Sequence, residues 1–340
     1  MNNTEFQAAA GLSPQSLQAL RDLLNRLISP YVPGDRVGIK LHWGERGNET
    51  FLSARYAREI VLWLKEKGAT PCVFDTTVLY SGGRRSGADT LKTAAEHNYS
   101  EDYLGCPVIV ADGMDGREVS EITASYKHFK TVQVADILSN LDGYLILSHF
   151  KGHMLSGFGG AIKNLSMGFA SRAQKQRMHS NAHPVLSQRK CSRCGVCIEV
   201  CPVQAGRMDG DSFPAYDLEL CIGCAQCIAM CPEVALRVLW DTDVVVFQEK
   251  LVETAAAVWR QIAKKTILLN ILMNITSECD CLTGKHPAIA ADIGFLAGYH
   301  PVSLDEESMA RVGAEPFDQA HPGIPWRHQF AYSRTIGFKP

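Results

Sequence analysis

Cys191-Ser192-Arg193-Cys194-Gly195-Val196-Cys197-Ile198-Glu199-Val200-Cys201-Pro202 spaces four thiols as C-x2-C-x2-C-x3-C-P, and Cys221, Cys224, Cys227, Cys231 and Pro232 repeat the pattern. Nothing else in the chain restricts its folding as tightly. Three closely set thiolates wrap the corners of one cubane, while the fourth, before proline, reaches the neighbouring one. The spacing therefore predicts two 4Fe–4S clusters. Cys191, Cys194, Cys197 and Cys231 would hold one, and Cys221, Cys224, Cys227 and Cys201 the other. Zinc is the alternative, and it favours two separated pairs over four close cysteines followed by proline. Most of the 12 cysteines fall in this one stretch, which points to metal ligation in a reducing compartment rather than to disulfides.

The stretch resembles bacterial two-cluster ferredoxins. A chain of 340 residues is long enough for two domains, or for one large domain carrying a small insert. Before the cysteines, short apolar runs alternate with helical patterns. Ser13-Pro14 opens a helix, 37–41 reads as a strand, Ser53 caps a second helix, and 72–74 is another strand. A helix near 89–97, a strand at 108–110, a helix near 134–141 and a strand at 144–147 continue the rhythm. Past the cysteines come a helical pattern over 244–265, apolar runs at 267–275 and 293–297, and a helix over 303–312. Strands alternating with helices imply an α/β domain with a parallel sheet covered on both faces. The expected organisation is an α/β domain in two parts, 1–188 and 240–340, interrupted at 189–239 by a small α+β ferredoxin-like domain.

Lys and Arg total 34 against 36 Asp and Glu, a formal charge of −2, with no basic run. That lacks the electrostatic footprint of nucleic-acid binding. No apolar stretch reaches the length of a membrane span. The first residues show no basic segment followed by an apolar one, so no secretory signal is expected, and the expected location is the cytoplasm.

Polar residues gather where the strands should end, which in parallel sheets is where the ligand crevice opens. The set comprises Lys40, His42 and Glu45, then Asp75 and Thr76, then Asp112, then Ser148, His149, Lys151 and His153, and finally Cys279-Asp280-Cys281. Gly157-Phe158-Gly159-Gly160-Ala161-Ile162-Lys163-Asn164 opens a helix from a glycine-rich loop. Its free N–H groups, with Lys163, are placed to cradle an anion such as a carboxylate or phosphate, in which Gly157, Gly159, Gly160 and Asn164 would share. The alternative is a tight turn that permits close packing. Cys279 and Cys281 are read as metal ligands, a transient redox pair or small loop residues. Cys72 and Cys106 are read as packing residues. His179 and His183 would bind metal only if helical, and Pro184 favours a lead-in to the cysteine module instead.

The runs Val37–Glu45, Ser148–His153, Gly157–Gly168, Cys279–Cys281, Asp292–Gly294 and His300–Asp305 together resemble the domain-of-unknown-function 362 family in its ferredoxin-containing form. The resemblance implies an iron–sulfur protein of unassigned substrate. The family pattern carries Asp where His300 stands. His153, Gly157 to Gly160 and Lys163 also resemble the His, Gly-Gly, Lys stretch of nickel-pincer lactate racemases.

The expected function is that of an iron–sulfur oxidoreductase taking single electrons from an external low-potential donor protein to a substrate or cofactor in the cleft. Lys151, Lys163 and the glycine loop would hold an anionic small molecule, His42, His149 or His153 would supply protons, Cys279 and Cys281 would be redox-active or metal-ligating, and Lys40 joins these as a candidate catalytic residue. The rivals are a non-catalytic electron carrier and a metal- or cofactor-maturation factor.

Overall fold

In the computed structural model, residues 4–79, 82–179, 183–210, 212–221, 225–237 and 243–340 are described. Seven strands build the main sheet: β1 (Thr4–Ala8), β2 (Arg36–Lys40), β3 (Thr70–Asp75), β4 (Val108–Val110), β5 (Gly143–His149), β6 (Thr266–Leu272) and β7 (Gly294–Gly298). Their spatial order is β1-β7-β6-β5-β2-β3-β4. The five from β6 to β4 run parallel, in register pairs such as Lys40 with Phe74 and Ile271 with His149. The chain is thus α/β around a mostly parallel sheet.

Every residue of β5 and of β6 is buried, as expected of central strands covered on both faces. Alternation sorts their side chains into two cores. On one face Tyr144, Ile146, Leu268 and Leu272 meet Phe247, Leu251, Leu304 and Phe330. On the other, Leu145, Leu147, Ile267 and Leu269 meet Leu20, Leu24, Ile60 and Leu64. The helices behind these contacts are α1 (Pro14–Arg26), α2 (Ala54–Glu66), α3 (Gly87–Glu96), α4 (Ala161–Ser166), α5 (Arg172–His179), α6 (Val244–Ile262), α7 (Pro301–Val312) and α8 (Arg327–Thr335). Local sequence starts them. Pro14 occupies the first turn of α1 and the Ser13 hydroxyl accepts from the Ser16 amide at 3.1 Å. At α6 the Asp243 carboxylate accepts from the Val245 amide at 2.8 Å.

Three features differ from the sequence reading. The segment near 134–141 is not an α-helix: Thr131–Ala135 pairs antiparallel with Val119–Thr123, and a 3-10 turn, Asp136–Ser139, follows. Val132 and Val134 both point inward, a period of two that suits branched side chains in a strand. The run near 293–297 forms β7, but antiparallel to β6, and β1 adds to its free edge antiparallel again. The sheet is therefore mixed at one side.

The cysteine-rich segment contains short elements only. Val185–Leu186 pairs with Leu236–Arg237, Gly206–Arg207 pairs with Ala215–Tyr216, and two helical turns span Val196–Glu199 and Gln226–Met230. The boundary expected at 239/240 lies outside the described residues. Among the described residues no helix is long and apolar enough to cross a membrane.

Candidate active site

The carboxyl ends of β2, β3 and β5 and the loop after β6 converge on one side of the sheet. Lys40, the last residue of β2, is fully buried and its ammonium donates to Asp75 Oδ1 at 2.9 Å, Asn164 Oδ1 at 3.0 Å and the Leu41 carbonyl at 2.9 Å. Asp75, which ends β3, also accepts from Arg84 Nη2 at 2.6 Å and stands 3.3 Å from His42 Nδ1. Burial would raise the Asp75 carboxyl, but Lys40, Arg84 and His42 outweigh it and hold the group well below the usual carboxylate range. His42 is the exposed member of this set, at 25 % side-chain accessibility.

A second buried carboxylate organises the other wall. Asp280 is fully buried and accepts from Lys151 Nζ at 2.6 Å and from His149 Nδ1 at 3.0 Å. The other nitrogen of His149 faces the carbonyls of Met273 and Asn274, at 3.1 and 2.9 Å. Here too burial opposes the charge, and Lys151 with His149 overcomes it, so Asp280 stays ionised below the normal range. A buried ammonium must be paired. Lys40, Lys151 and His149 each make their close polar contacts within these networks.

Asp280 places its two cysteine neighbours between the walls. Cys279 is buried, and Lys163 Nζ lies 3.0 Å from its sulfur. Cys281, half-buried, stands beside the same sulfur, its backbone amide 3.4 Å away. The Cys281 hydrogen bond lowers the Cys279 thiol well below the usual range. Burial works against this, while Lys163, a hydrogen bond from His42 and the charge of Lys151 reinforce it. Cys281 is pushed up in turn, chiefly by its bond to Cys279. The centre is two adjacent cysteines of opposed acidity, the more acidic one faced by an ammonium.

The glycine-rich loop does not offer the anion cradle the sequence suggested. Lys151–His153 and Gly157–Gly159 form a small hairpin, and α4 starts after Gly160. The first amides of α4, Ala161 and Ile162, already donate to the Asp305 carboxylate at 2.8 and 2.9 Å, and Asn270 adds a third donor at 2.7 Å. A Cβ on Gly160 would overlap Asp305, so this glycine is fixed by close packing. Burial raises Asp305 to about 6 against those three donors. Asn164 is spent as a brace, accepting from Lys40 and donating to the Leu147 carbonyl at 3.0 Å. Of the loop residues only Lys163 reaches the centre.

His153 is buried beside it. Its Nδ1 accepts from the Leu155 and Ser156 amides, both at 3.2 Å, and burial, then Lys163, lower it well below the usual imidazole range. The ring is neutral. The sequence missed His179 as a neighbour. It ends α5, and burial, Lys163 and Lys250 lower it to about 4. His183 lies beyond the helix. Arg84 was also missed, although the pair Arg84-Arg85 after Gly82-Gly83 marks a tight loop at a strand end. So was Lys175 of α5, which donates to Thr76 Oγ1 at 2.7 Å and which burial lowers to about 8.

In the cysteine-rich segment one cavity is lined by Cys191, Cys194, Cys197 and Cys231, three thiols of the first motif and the last of the second. The two cysteines before proline are matched: Ala205 N donates to Cys201 Sγ and Ala235 N to Cys231 Sγ, each at 3.2 Å. Cys221 is half-buried and Cys227 buried, and Cys224 lies outside the described residues. Among the described residues no three His, Cys, Asp or Glu side chains close on a point as the ligands of a single ion do. The segment is pinned to the sheet domain beside the cleft. Arg85 donates to the Cys231 carbonyl at 2.7 Å, Arg172 of α5 reaches Met230 Sδ at 3.4 Å, and Gln226 bonds Gln133 at 2.9 Å.

No curated protein matches the chain. A crystal structure of a protein from Thermotoga maritima superposes with a TM-score of 0.49 at 10 % identity, over 92 % of this chain and 61 % of that one. The lactate racemase apoprotein from Thermoanaerobacterium thermosaccharolyticum gives 0.41 at 14 % identity, over 88 % and 54 %. The chain spans less than two thirds of the length of either. The family described as "Domain of unknown function (DUF362)" matches residues 37–310, and the chain belongs to that family.

Proposed function

We propose that the chain is an iron–sulfur oxidoreductase whose cysteine module feeds electrons to the cleft at Lys163, Cys279 and Cys281. The observation that carries this reading is the cavity walled by Cys191, Cys194, Cys197 and Cys231. A cubane takes one thiolate at each of four separate irons, so its ligands stand around a space rather than on a point. The amides donated to Cys201 and Cys231 suit thiolates that carry charge. When bound, two 4Fe–4S clusters supply single electrons at low potential.

The residues of the chain would do the rest. Arg85 ties the Cys231 backbone to the loop whose next member, Arg84, holds Asp75 and stands 2.6 Å from His42. His42, partly exposed and one of the groups that lower the Cys279 thiol, would move a proton between that sulfur and solvent. Lys163 holds the negative charge of Cys279, and its field would also attract an anionic small molecule entering the cleft. The electron donor would be an external low-potential protein, and the compartment the cytoplasm. The buried cation–thiolate centre favours an enzyme over a simple carrier, which needs no such centre.

Anaerobically isolated protein should contain about eight iron and about eight acid-labile sulfide per chain. Cys231→Ala should remove the cluster of Cys191, Cys194 and Cys197 while the other persists in the electron paramagnetic resonance spectrum. Stoichiometric zinc without charge-transfer absorbance would overturn the reading, and so would loss of only the other cluster.

A further inference from the structure

We infer that Cys279 and Cys281 are a reversible dithiol–disulfide couple that collects two single electrons and passes them as a pair to a disulfide-bearing substrate. The electron source rests on the proposed function above; the couple itself rests on the geometry around the two sulfurs.

The two cysteines are separated by one residue, Asp280, whose carboxylate is anchored by Lys151 and His149, and the Cys281 amide lies 3.4 Å from the Cys279 sulfur. Anchoring the middle residue fixes both neighbours. The Cys279 side chain is buried with Lys163 Nζ 3.0 Å from its sulfur, whereas Cys281 is half-buried. Cys72 and Cys106, the other cysteines outside the two motifs, have neither feature: burial raises both thiols, to about 12 and about 11. They serve as internal controls.

The chemistry balances with the groups present. In the reduced state Cys279 is a thiolate and Cys281 a thiol. Attack of the pair on an external disulfide breaks that sulfur–sulfur bond and forms the one between Cys279 and Cys281. One external sulfur leaves as a thiol with the Cys281 proton, the other as a thiolate. Two electrons, delivered singly by a low-potential donor, then break the internal bond. One proton returns to Cys281, and Cys279 regains the charge that faces Lys163. The pair thereby converts one-electron delivery into two-electron chemistry. Lys163 is a positioning residue here, stabilising the reduced state through the Cys279 thiolate.

The test equilibrates anaerobic, iron-loaded protein in glutathione buffers of graded potential, quenches in acid, alkylates, and reads the peptide carrying 279–281 by mass spectrometry. The expected result is an internal disulfide at the oxidising end, lacking two hydrogens and unlabelled, with Cys72 and Cys106 alkylated as thiols after denaturation. Two labelled cysteines at 279 and 281 across the whole range would overturn the couple. Lys163→Met should move the equilibrium about tenfold toward the disulfide, about 30 mV more negative for two electrons. A variant titrating like the wild type would refute the role of Lys163.

Photoreduction with a one-electron donor should reopen the disulfide in the loaded wild type but not in Cys194→Ser, while dithiothreitol should reopen it in both. Failure of photoreduction in the loaded wild type would overturn the relay. Anaerobically isolated protein that contains no iron, and whose disulfide still forms and opens with dithiothreitol, would refute the iron–sulfur reading and leave the couple standing.

Discussion

Replacing Asp280 by Asn tests whether the cleft is held by buried charge. The carboxylate is fully buried and serves two donors, Lys151 at 2.6 Å and His149 at 3.0 Å. Asparagine keeps the shape but supplies one acceptor and one donor, so one of the two would face an N–H. If Lys151, 5 % exposed, is the one that faces the N–H, it keeps only the His149 carbonyl at 3.5 Å. Leaving a buried charge uncompensated costs about 3–5 kcal/mol, a large part of the ~5–15 kcal/mol that stabilises a typical domain. An exposed pair such as Arg36–Asp142, with side chains 57 % and 43 % accessible, is worth ~0–1 kcal/mol. Urea unfolding at pH 7, followed by near-ultraviolet circular dichroism, would measure the difference for Asp280→Asn, Lys151→Met and the double variant. The double variant should be less destabilised than the sum of the singles, by about 0.5–3 kcal/mol. The sign with pH is fixed by the depressed folded value. The contribution of Asp280 is present above the unfolded pKa, about 4, and is lost as pH falls below it, so the gap between wild type and Asp280→Asn should narrow in acid. A loss under about 1 kcal/mol at pH 7, or purely additive singles, would refute the argument.

Lys175 makes the opposite test, because burial lowers it to about 8. Its contribution is full above the unfolded pKa and is lost as pH falls through about 8. Wild type should therefore gain up to ~3 kcal/mol on Lys175→Met between pH 7 and 10, read from denaturant midpoints. His300 has no partner for Nδ1 among the described residues, packs against Trp259 and Phe338, and is lowered by burial to about 4. Wild type should lose stability relative to His300→Phe as pH falls from about 6.5 through 4, measured by melting temperature; parallel curves would exclude His300 as the source. A Cβ at Gly152 would overlap the Ser277 carbonyl, so Gly152→Ala should cost about 1–3 kcal/mol. It should also displace the loop that carries Cys279, seen as faster alkylation of Cys281; an unchanged rate would show that the loop is not held there.

The alternation of apolar runs and helical patterns was enough to place β2, β3, β4, β5 and β6, because strands buried on both faces carry nearly unbroken apolar sequence. The helix expected near 134–141 is instead the end of the strand Thr131–Ala135 and the 3-10 turn after it, because so short an apolar run matches either period. β1 escaped notice because an edge strand is only half covered, and Glu5 and Gln7 interrupt its pattern. For the site, sequence supplied the residue types at the strand ends but not who pairs with whom. Lys151 and Lys163 look alike in sequence; Asp280 neutralises one and Cys279 faces the other. Asp305, nearly 150 positions beyond Ala161, takes the amides that the glycine-rich loop had offered to a ligand. Such long-range satisfaction of buried donors leaves no local signal.

Two carboxylates therefore define the cleft, and the way they are filled says what it is for. Asp75 gathers Lys40, Arg84 and His42; Asp280 gathers Lys151 and His149. Well-packed hydrocarbon of the same volume would be no less stable than such buried pairs, because the desolvation of each charge roughly cancels the attraction. The networks earn no stability that apolar residues would not supply. Apolar residues would, however, leave the Cys279 thiolate in a medium that disfavours its charge. Lys163, Lys151 and His42 all act on that one sulfur. The effect of the cation-rich walls is thus concentrated on a single sulfur, which lies beside the half-buried Cys281.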